Sequence, residues 1–243
     1  MLRTYISEWD GGETLPRPDP GETHHLLRVR RARAEEPVEV MNGRGAVARA
    51  RVLPEGSAEA RLVLMDRWTV EPSPLSLHLL VALPKGKSFS MLLQKAVELG
   101  VTEVTPLVTD HVEMSAGRVA GKQDRWEAVL MEAVKQSGNP WKPALHKPVG
   151  LKTFLRTNAG PAQRLCAALQ KDARPLWHLL GDPLKREGKL ELFVGPEGDF
   201  SLREYADLRE SGCHFASLGP LVLKVETAAS LLLGTLRLWA DGR

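Results

Sequence analysis

The sequence predicts an α/β protein whose largely parallel sheet follows a small β-rich module. From Leu75 onward, strand-like apolar runs alternate with helical patterns, which is typical of a parallel sheet covered by helices. Before that point the chain consists mostly of short strand patterns and turns. Two prolines in the segment 71–74 disfavour helix on either side and indicate a linker. We therefore predict one domain over residues 1–72 and a second over residues 73–243.

The first domain is predicted to contain three strands and one short helix. The strand patterns cover residues 38–41, 46–52 and 60–68. Asn42-Gly43 lies between the first two, and this dipeptide is a strong hairpin signal because both residues tolerate positive φ. Thr23 is expected to cap a short helix over residues 24–28.

The second domain is predicted to alternate strands with helices. We expect the strands at residues 75–83, 101–109, 164–169, 190–194 and 213–218. We expect the helices at residues 88–99, 124–137, 201–212 and 227–239. Gly100 stands where the first helix should stop, and Ser201 with Glu204 fits a capping box at the start of the third. The last helix is apolar on nearly every face, which predicts burial in the core, in a dimer interface or in both.

Composition excludes several classes of protein. No apolar run approaches the length of a membrane span, and the first five residues lack the apolar core of a signal peptide, so we expect a cytoplasmic protein. The only cysteines, Cys166 and Cys213, stand far apart, which argues against a zinc cluster or a disulfide framework. We expect both thiols to be buried as small hydrophobes, and we expect no metal.

Arginine is concentrated near the N-terminus. Residues 1–72 hold eleven arginines and no lysine, and the segment 28–51 holds seven arginines against three glutamates. The guanidinium group suits phosphate and stacks on bases, so this enrichment is the mild footprint of an RNA-binding protein. A solvated basic face is the alternative. The candidate RNA-binding residues are Arg28, Arg30, Arg31, Arg44 and, on the helix predicted at 124–137, Arg125.

Two loops near the C-terminus are the main candidates for a binding site. Gly195-Pro196-Glu197-Gly198 follows one predicted strand, and Leu218-Gly219-Pro220 ends the last one. In open α/β sheets, ligands bind outside the carboxyl ends of the strands. Glycine lets the main chain approach a ligand, and proline stiffens the loop. The alternative is that these residues only form tight turns.

Five motifs in order give the chain a resemblance to a known family. They are His24 to Arg30 with Asn42 to Gly45, Leu92 to Val101, Arg125-Trp126 with Glu132-Ala133 and Gln136 to Gly138, Gly195 to Gly198, and Leu218 to Pro220 with Leu223 and Glu226-Thr227-Ala228. With these motifs the chain resembles the SPOUT class of S-adenosylmethionine-dependent RNA methyltransferases, and more narrowly those that methylate N3 of a uridine in bacterial 16S ribosomal RNA. The resemblance covers nearly the whole chain.

The resemblance implies a fold and an assembly as well as an activity. Residues 1–72 would form a PUA-like β-barrel, and residues 73–243 a SPOUT domain with a C-terminal trefoil knot. The family also implies a homodimer that uses S-adenosylmethionine and acts on 16S ribosomal RNA or the small ribosomal subunit. The residues expected to bind the cofactor are Leu169, Gly195, Pro196, Glu197, Gly198, Leu218, Gly219, Leu223, Glu226, Thr227 and Ala228.

Two residues are candidates for a part in catalysis. Methyl transfer is an in-line displacement, and the uridine must lose its N3 proton. Glu226 would face the sulfonium or help to remove that proton; its alternative role is to complement a helix N-terminus. Lys224 would contact a phosphate; the alternative is that it is only an exposed charge on the surface.

Two other functions compete with methyl transfer. One is an inactive RNA-binding assembly factor on the same fold, motivated by Asn139 and Lys224, which stand where the family usually has arginine. The other is a nucleotide-binding enzyme of ordinary doubly wound type. The sequence argues against the second, because it contains neither a Gly-x-Gly-x-x-Gly motif nor a Walker loop.

Overall fold

The computed structural model describes residues 1–56, 59–84, 88–111, 121–158 and 160–242. The chain forms two compact units. The first consists of Met1–Pro72 and Val134–Lys142, and the second of Ser73–Ala133 and Pro143–Arg243. The predicted boundary at residue 72 places Val134–Lys142 in the second domain, whereas the structure places this segment in the first unit.

The first unit is built on a four-stranded sheet in the order β1-β2-β3-β4. Its strands are β1 (Leu2–Tyr5), β2 (Pro37–Met41), β3 (Ala46–Glu55) and β4 (Glu59–Thr69). Strand β1 pairs with β2 in parallel, and the other pairs are antiparallel. The predicted hairpin turn is confirmed, since the Asn42 side-chain oxygen accepts from the backbone of Arg44 and Ala46, and Gly43 has a φ of 74°. Strand β1 was not predicted.

The short helix of the first unit begins earlier than predicted. Helix α1 spans Pro20–His24, and its cap is Asp19, whose side chain accepts from Glu22 N at 2.8 Å. A π-helical turn over His25–Val29 follows directly. The prediction that Thr23 caps the helix is therefore wrong. Its hydroxyl is buried and donates to the Pro18 carbonyl oxygen at 3.2 Å, because Asp19 already occupies the position before the first turn.

The segment Val134–Lys142 is joined to the rest of the first unit by hydrogen bonds to its backbone carbonyl oxygens. The Arg3 guanidinium donates to the carbonyl oxygens of Lys135 and Gln136, at 3.2 and 2.7 Å. Farther along, Gly45 N donates to Pro140 O at 3.0 Å. These contacts join residues far apart in sequence, which is why no local pattern predicted them.

The second unit is built on an eight-stranded sheet whose strand pairs are all parallel, as predicted. The order is β10-β12-β9-β11-β5-β6-β7, and β8 also pairs with β6. The strands are β5 (Leu75–Ala82), β6 (Glu103–Val108), β7 (Ala144–Leu145), β8 (Val149–Gly150), β9 (Gln163–Ala167), β10 (Arg174–Pro175), β11 (Gly188–Val194) and β12 (His214–Ser217). The three two-residue strands were not predicted, because they are too short to show a period.

The helices that follow are α2 (Ser88–Glu98), α3 (Gln123–Ser137), α4 (Leu151–Thr157), α5 (Leu202–Glu210) and α6 (Val225–Ala240). Helix α4 was not predicted. The capping box of α5 is confirmed, because Ser201 and Glu204 exchange both hydrogen bonds. Among the residues described, no helix combines the length and the apolar character needed to cross a membrane.

Helix α6 buries one face in the core, as predicted, and leaves its other face exposed, where burial in a dimer interface stays a prediction. Its buried side chains are Val225, Ala229, Leu232, Leu233 and Leu236, which lie on one stripe at helical spacing. Leu231 and Leu238 lie on the opposite face and are 44% and 57% exposed. Because apolar residues occur on both faces of α6, the sequence alone does not distinguish the buried face from the exposed one. Packing against α2 and β5 decides which face is buried.

The strand order determines where a ligand could bind. Strands β12, β9 and β11 are adjacent and parallel, so their carboxyl ends meet at one edge of the sheet. The chain that leaves each of these strands therefore emerges beside the others. The two glycine loops belong to this edge.

Candidate functional site

An open pocket, whose volume of about 600 Å³ includes solvent at its mouth, lies at this edge of the second unit. Three segments form its wall, each leaving a different parallel strand, and the first turn of α6 closes it. An open pocket at the carboxyl ends of parallel strands suits a small-molecule ligand or cofactor. The residues in its wall are Ala167, Ala168, Leu169, Val194, Gly195, Pro196, Glu197, Asp199, Leu218, Gly219, Leu221, Val222, Leu223, Val225 and Ala228.

The loop after β11 is tightly packed at Gly195. A Cβ added there would lie 3.1 Å from Phe200 Cδ2 and 3.4 Å from Asp199 Oδ1. The loop closes on itself where Asp199 N donates to Pro196 O at 2.9 Å. Glycine at 195 thus lets the backbone of the loop pack on Phe200, which follows in the same loop. Gly195 also forms part of the pocket wall.

Asp199 is a pocket residue that the sequence analysis did not select. It has a φ of 62°, and its Oδ1 accepts from Phe200 N at 2.8 Å and from the Tyr205 hydroxyl at 2.7 Å. Burial, followed by the hydrogen bond to Asp199, raises the pKa of Tyr205, so the phenol stays protonated and keeps donating. This bond orients the carboxylate at the pocket. Its position directly after Gly198 is the only sequence signal that could have found it.

The loop after β12 forms a more open wall. Gly219 has a φ of 128°, a region that residues with a Cβ rarely adopt. Leu221 and Val222 follow and are 74% and 78% exposed. Together with Leu169 and Leu223 they give this side of the pocket an apolar lining, which suits a flat apolar group such as a nucleobase.

Most of the residues predicted to bind a cofactor come together in this pocket. Its wall includes Leu169, Gly195, Pro196, Glu197, Leu218, Gly219, Leu223 and Ala228. Gly198, Glu226 and Thr227 are not among the lining residues that the structure describes. In α6, Val225 and Ala228 are three residues apart and share the face toward the pocket, so the two residues between them point elsewhere. The sequence analysis missed Ala167, Ala168, Val194, Asp199, Leu221, Val222 and Val225.

The two candidate catalytic residues lie at the start of α6. Lys224 is its N-cap residue, is exposed and makes no side-chain cap bond. Glu226 is half-buried in the first turn, where a carboxylate complements the helix dipole. This position fits the alternative role predicted for Glu226, whereas the catalytic role requires its carboxylate to turn toward the pocket, whose wall does not include it.

His111 lies beside the first loop. Its Nδ1 is 2.8 Å from the Asp199 carbonyl oxygen, and its Cβ would be 3.5 Å from a Cβ added at Gly198. The backbone hydrogen bond to Asp199 raises the pKa of this exposed histidine. The side chain therefore carries positive charge more readily at the outer side of the loop. Residues 112–120, which follow it in the chain, lie outside the described residues.

The candidate RNA-binding arginines differ in their surroundings. In the first unit, Arg28, Arg30 and Arg31 are exposed. Arg44 is exposed as well, but it donates to the carbonyl oxygens of Ser7 and Trp9, at 2.8 and 2.9 Å, so it holds the N-terminal segment in place. Arg125 is exposed on α3 in the second unit.

Two family models match the sequence. That of the RNA methyltransferase domain matches residues 71–237, and that of the RNA methyltransferase PUA domain matches residues 18–64. A ribosomal RNA small subunit methyltransferase E from Synechocystis is 29% identical over 217 residues, which are 87% of this chain and 69% of that relative. One from Mycobacterium tuberculosis is 28% identical over 89% of this chain and 83% of its own length.

Two solved structures with bound cofactor are similar over almost the whole chain. A ribosomal RNA small subunit methyltransferase E from Neisseria gonorrhoeae, bound to S-adenosylmethionine, has a TM-score of 0.85 and 26% identity, covering 97% of this chain and 96% of its own. A protein from Legionella pneumophila described as a methyltransferase, in complex with the same cofactor, has a TM-score of 0.84 and 27% identity with the same coverage. The fold is thus α/β with a parallel sheet and an N-terminal PUA-like unit.

Proposed function

Since the chain belongs to the RNA methyltransferase family, we propose that it transfers a methyl group from S-adenosylmethionine to ribosomal RNA of the small subunit. The observation that carries the proposal is the pocket at the carboxyl ends of β9, β11 and β12. Its residues fit this cofactor, because the two glycine loops expose backbone and the segment around Leu221 is apolar.

We infer that the cofactor is held mainly by backbone and apolar groups. Gly195, Glu197, Leu218 and Gly219 would supply main-chain donors and acceptors, and Leu169 and Leu223 would pack on the adenine. Gly198 belongs to the loop after β11, and Glu226 and Thr227 belong to the first turn of α6. We propose that these three residues support the residues of the pocket wall without lining the pocket themselves. When bound, the cofactor supplies an electrophilic methyl group.

The proposed acceptor atom is N3 of a uridine in 16S ribosomal RNA. N3 lies on the pairing edge of the base, so the target nucleotide must be unpaired or flipped out. Loss of the N3 proton leaves negative charge on the ring, which nearby N–H donors or cations would stabilise. Glu226 is proposed to take part in moving this proton, and Lys224, exposed at the start of α6, to meet a phosphate of the RNA.

The remaining contacts with RNA are assigned to exposed arginines. Arg28, Arg30 and Arg31 lie close together in sequence on the first unit, and Arg125 lies on α3. Arg44 is part of the same basic segment, but its hydrogen bonds to Ser7 and Trp9 favour a structural role over direct contact with RNA.

We further propose a trefoil knot at the C-terminal end of each chain, a homodimer, a first unit that closes as a barrel, and a cytoplasmic location. The apolar side chains exposed on the second unit support the dimer. Leu231 and Leu238 share one face of α6, and Leu221 and Val222 extend the pocket rim. An apolar helix face exposed in the single chain would be buried against a second copy in such a dimer.

The test is calorimetric titration with S-adenosylmethionine, followed by methyl transfer to small-subunit RNA. We expect one cofactor per chain, and mass spectrometry of the RNA should find a new methyl group on N3 of one uridine. Binding without transfer to free RNA or to assembled subunits would favour the inactive assembly factor. Absence of binding would overturn the assignment of the pocket.

A further inference from the structure

A second group of polar side chains lies in the same unit, away from the pocket. His78 is in β5, Glu103 begins the neighbouring strand β6, and the two residues are aligned in the strand pairing. His146 follows β7, and its backbone N donates to Val104 O at 2.9 Å, which holds it beside β6. Because Glu103 is the first residue of its strand, the cluster lies toward the amino-terminal edge of the sheet, whereas the pocket lies at the carboxyl edge.

The distances within the cluster are those of a metal site. Glu103 Oε2 is 2.9 Å from His146 Nε2 and 3.8 Å from His78 Nδ1, and one ligand atom from each residue lies within 4.8 Å of the others. Ligands at tetrahedral zinc, with bonds of about 2.1 Å, are separated by about 3.4 Å. The two measured separations involving Glu103 fall on either side of that value.

His78 provides an independent sign that something binds here. Its side chain is only 3% exposed, and Nδ1 has no hydrogen-bond partner within the described part of the chain. A buried polar atom without a partner is costly and calls for an explanation. The other ring nitrogen, Nε2, is held 2.7 Å from Thr105 Oγ1, which orients the ring so that Nδ1 points to Glu103 and His146. Metal-bound histidines are usually oriented by such a second bond.

Lys189 fixes the orientation of the Glu103 carboxylate. Lys189 Nζ binds Glu103 Oε1 at 2.7 Å, which leaves Oε2 directed at the two imidazoles.

We propose that His78, Glu103 and His146 form a zinc site in the second unit, with water as the fourth ligand. Two imidazoles and a carboxylate are common protein ligands of zinc, and zinc imposes no rigid geometry on its ligands. The bound ion would join β5, β6 and the segment after β7 where only a short ladder of hydrogen bonds pairs β6 with β7. Its role is to stabilise this edge of the sheet, and it takes no part in methyl transfer.

The test uses full-length protein without a metal-binding tag, treated with EDTA and titrated with zinc. We expect one tight zinc per chain and a melting temperature that rises with zinc concentration, since a ligand of the folded state stabilises it. His146→Ala and Glu103→Gln should weaken zinc binding at least ~10-fold. Both positions are partly exposed, so these variants should fold even if a change at His78 does not.

Two matched variants test whether zinc binds at this cluster and whether Lys189 competes with it. His178→Ala removes an exposed histidine outside the cluster and should bind zinc like the unaltered protein. Lys189→Met removes the competing cation at Glu103 and should tighten binding several-fold. Titration with S-adenosylmethionine should give the same affinity for His146→Ala as for the unaltered protein, so failure of the zinc site is distinguishable from failure of the cofactor pocket.

Two results would overturn the proposal. One is no tight zinc binding by the unaltered protein. The other is equal affinity for zinc in His146→Ala and in His178→Ala, which would place the ion elsewhere. In either case the cluster is an ion-pair network in which Glu103 is shared by Lys189 and His146.

Discussion

Gly219 is the residue at which backbone conformation and pocket shape depend most directly on each other. Its φ of 128° is open to glycine and strained for other residues, whereas no atom of the described residues lies within 4 Å of a Cβ added there. A substitution there tests conformation without a steric clash.

We predict that Gly219→Ala lowers the affinity for S-adenosylmethionine. The alanine costs about 1–3 kcal/mol in this region, and the loop relaxes by moving the backbone that lines the pocket. Calorimetry gives the change in affinity. The control is Gly212→Ala, also at positive φ and in open space but outside the pocket wall, which should destabilise the fold and leave cofactor affinity unchanged. Equal affinities of the two variants would contradict the prediction.

The buried cysteines act as small apolar groups, as predicted. Cys166 and Cys213 are both buried, and burial is the main cause that raises the pKa of each thiol. Neither thiolate is available to an alkylating reagent in the folded protein.

We predict that native protein resists alkylation by iodoacetamide at pH 8.5 and that both thiols react in denaturant. Intact-mass spectrometry checks this. Rapid stoichiometric labelling of folded protein would refute the prediction.

The raised pKa of the two thiols also makes stability depend on pH. Above the usual thiol pKa of 9.0, the unfolded chain loses protons that the folded thiols keep, so the free energy of unfolding should fall as pH rises.

At the scale of the element, the start of helix α5 shows how a local motif ties a loop to the sheet edge. Ser201 Oγ accepts from Glu204 N at 3.2 Å and donates to Asp110 Oδ2 at 2.6 Å. Glu204 in turn accepts from the backbone of Ser201 and Asp110. One cap thus connects the loop after β11 with the residues after β6.

We predict that Ser201→Ala lowers the free energy of unfolding by about 1 kcal/mol, because it removes the cap of α5. Urea denaturation measures the difference. Ser230→Ala is the matched control. Its hydroxyl donates to Glu226 O within α6, and alanine is at least as good a helix former there, so stability should change little. A destabilisation as large in Ser230→Ala would show that the cap has no special role.

The sequence predicted the longer elements and missed the short ones. Alternation of apolar residues and the capping motifs gave β3, β4, β5, β11, α2, α3 and α5. Strand β1 and the two-residue strands exist because a partner strand is already in place, which is a tertiary effect. Helix α6 was predicted as an element, but its buried face was not, because apolar side chains occur on both sides.

At the scale of the whole molecule, the proposed function divides cofactor binding and RNA binding between different residues. The pocket belongs to the second unit, and the exposed arginines 28, 30 and 31 belong to the first. A change in charge at these arginines should therefore affect RNA binding and leave cofactor binding intact.

We predict that Arg30→Glu with Arg31→Glu weakens binding to small-subunit RNA and reduces its salt dependence, while cofactor affinity stays the same. The slope of log K against log salt should fall by about 1 for each phosphate that the variant no longer neutralises. The control is Lys152→Glu with Arg156→Glu, an equal change in charge on exposed residues of α4. Equally weakened RNA binding in both would mean that only net charge matters and would contradict the specific role of the arginines.

The sequence by itself determined the alternation of strands and helices, the turn at Asn42-Gly43 and the two glycine loops, because these depend on neighbouring residues. Only the tertiary structure decided that the loops after β9, β11 and β12 face one pocket and that Asp199, Ala167 and Val225 belong to it. It also decided that Val134–Lys142 joins the first unit and that His78, Glu103 and His146 meet. The physical reason is that strand order in a parallel sheet brings together residues far apart in sequence, and no local pattern encodes that order.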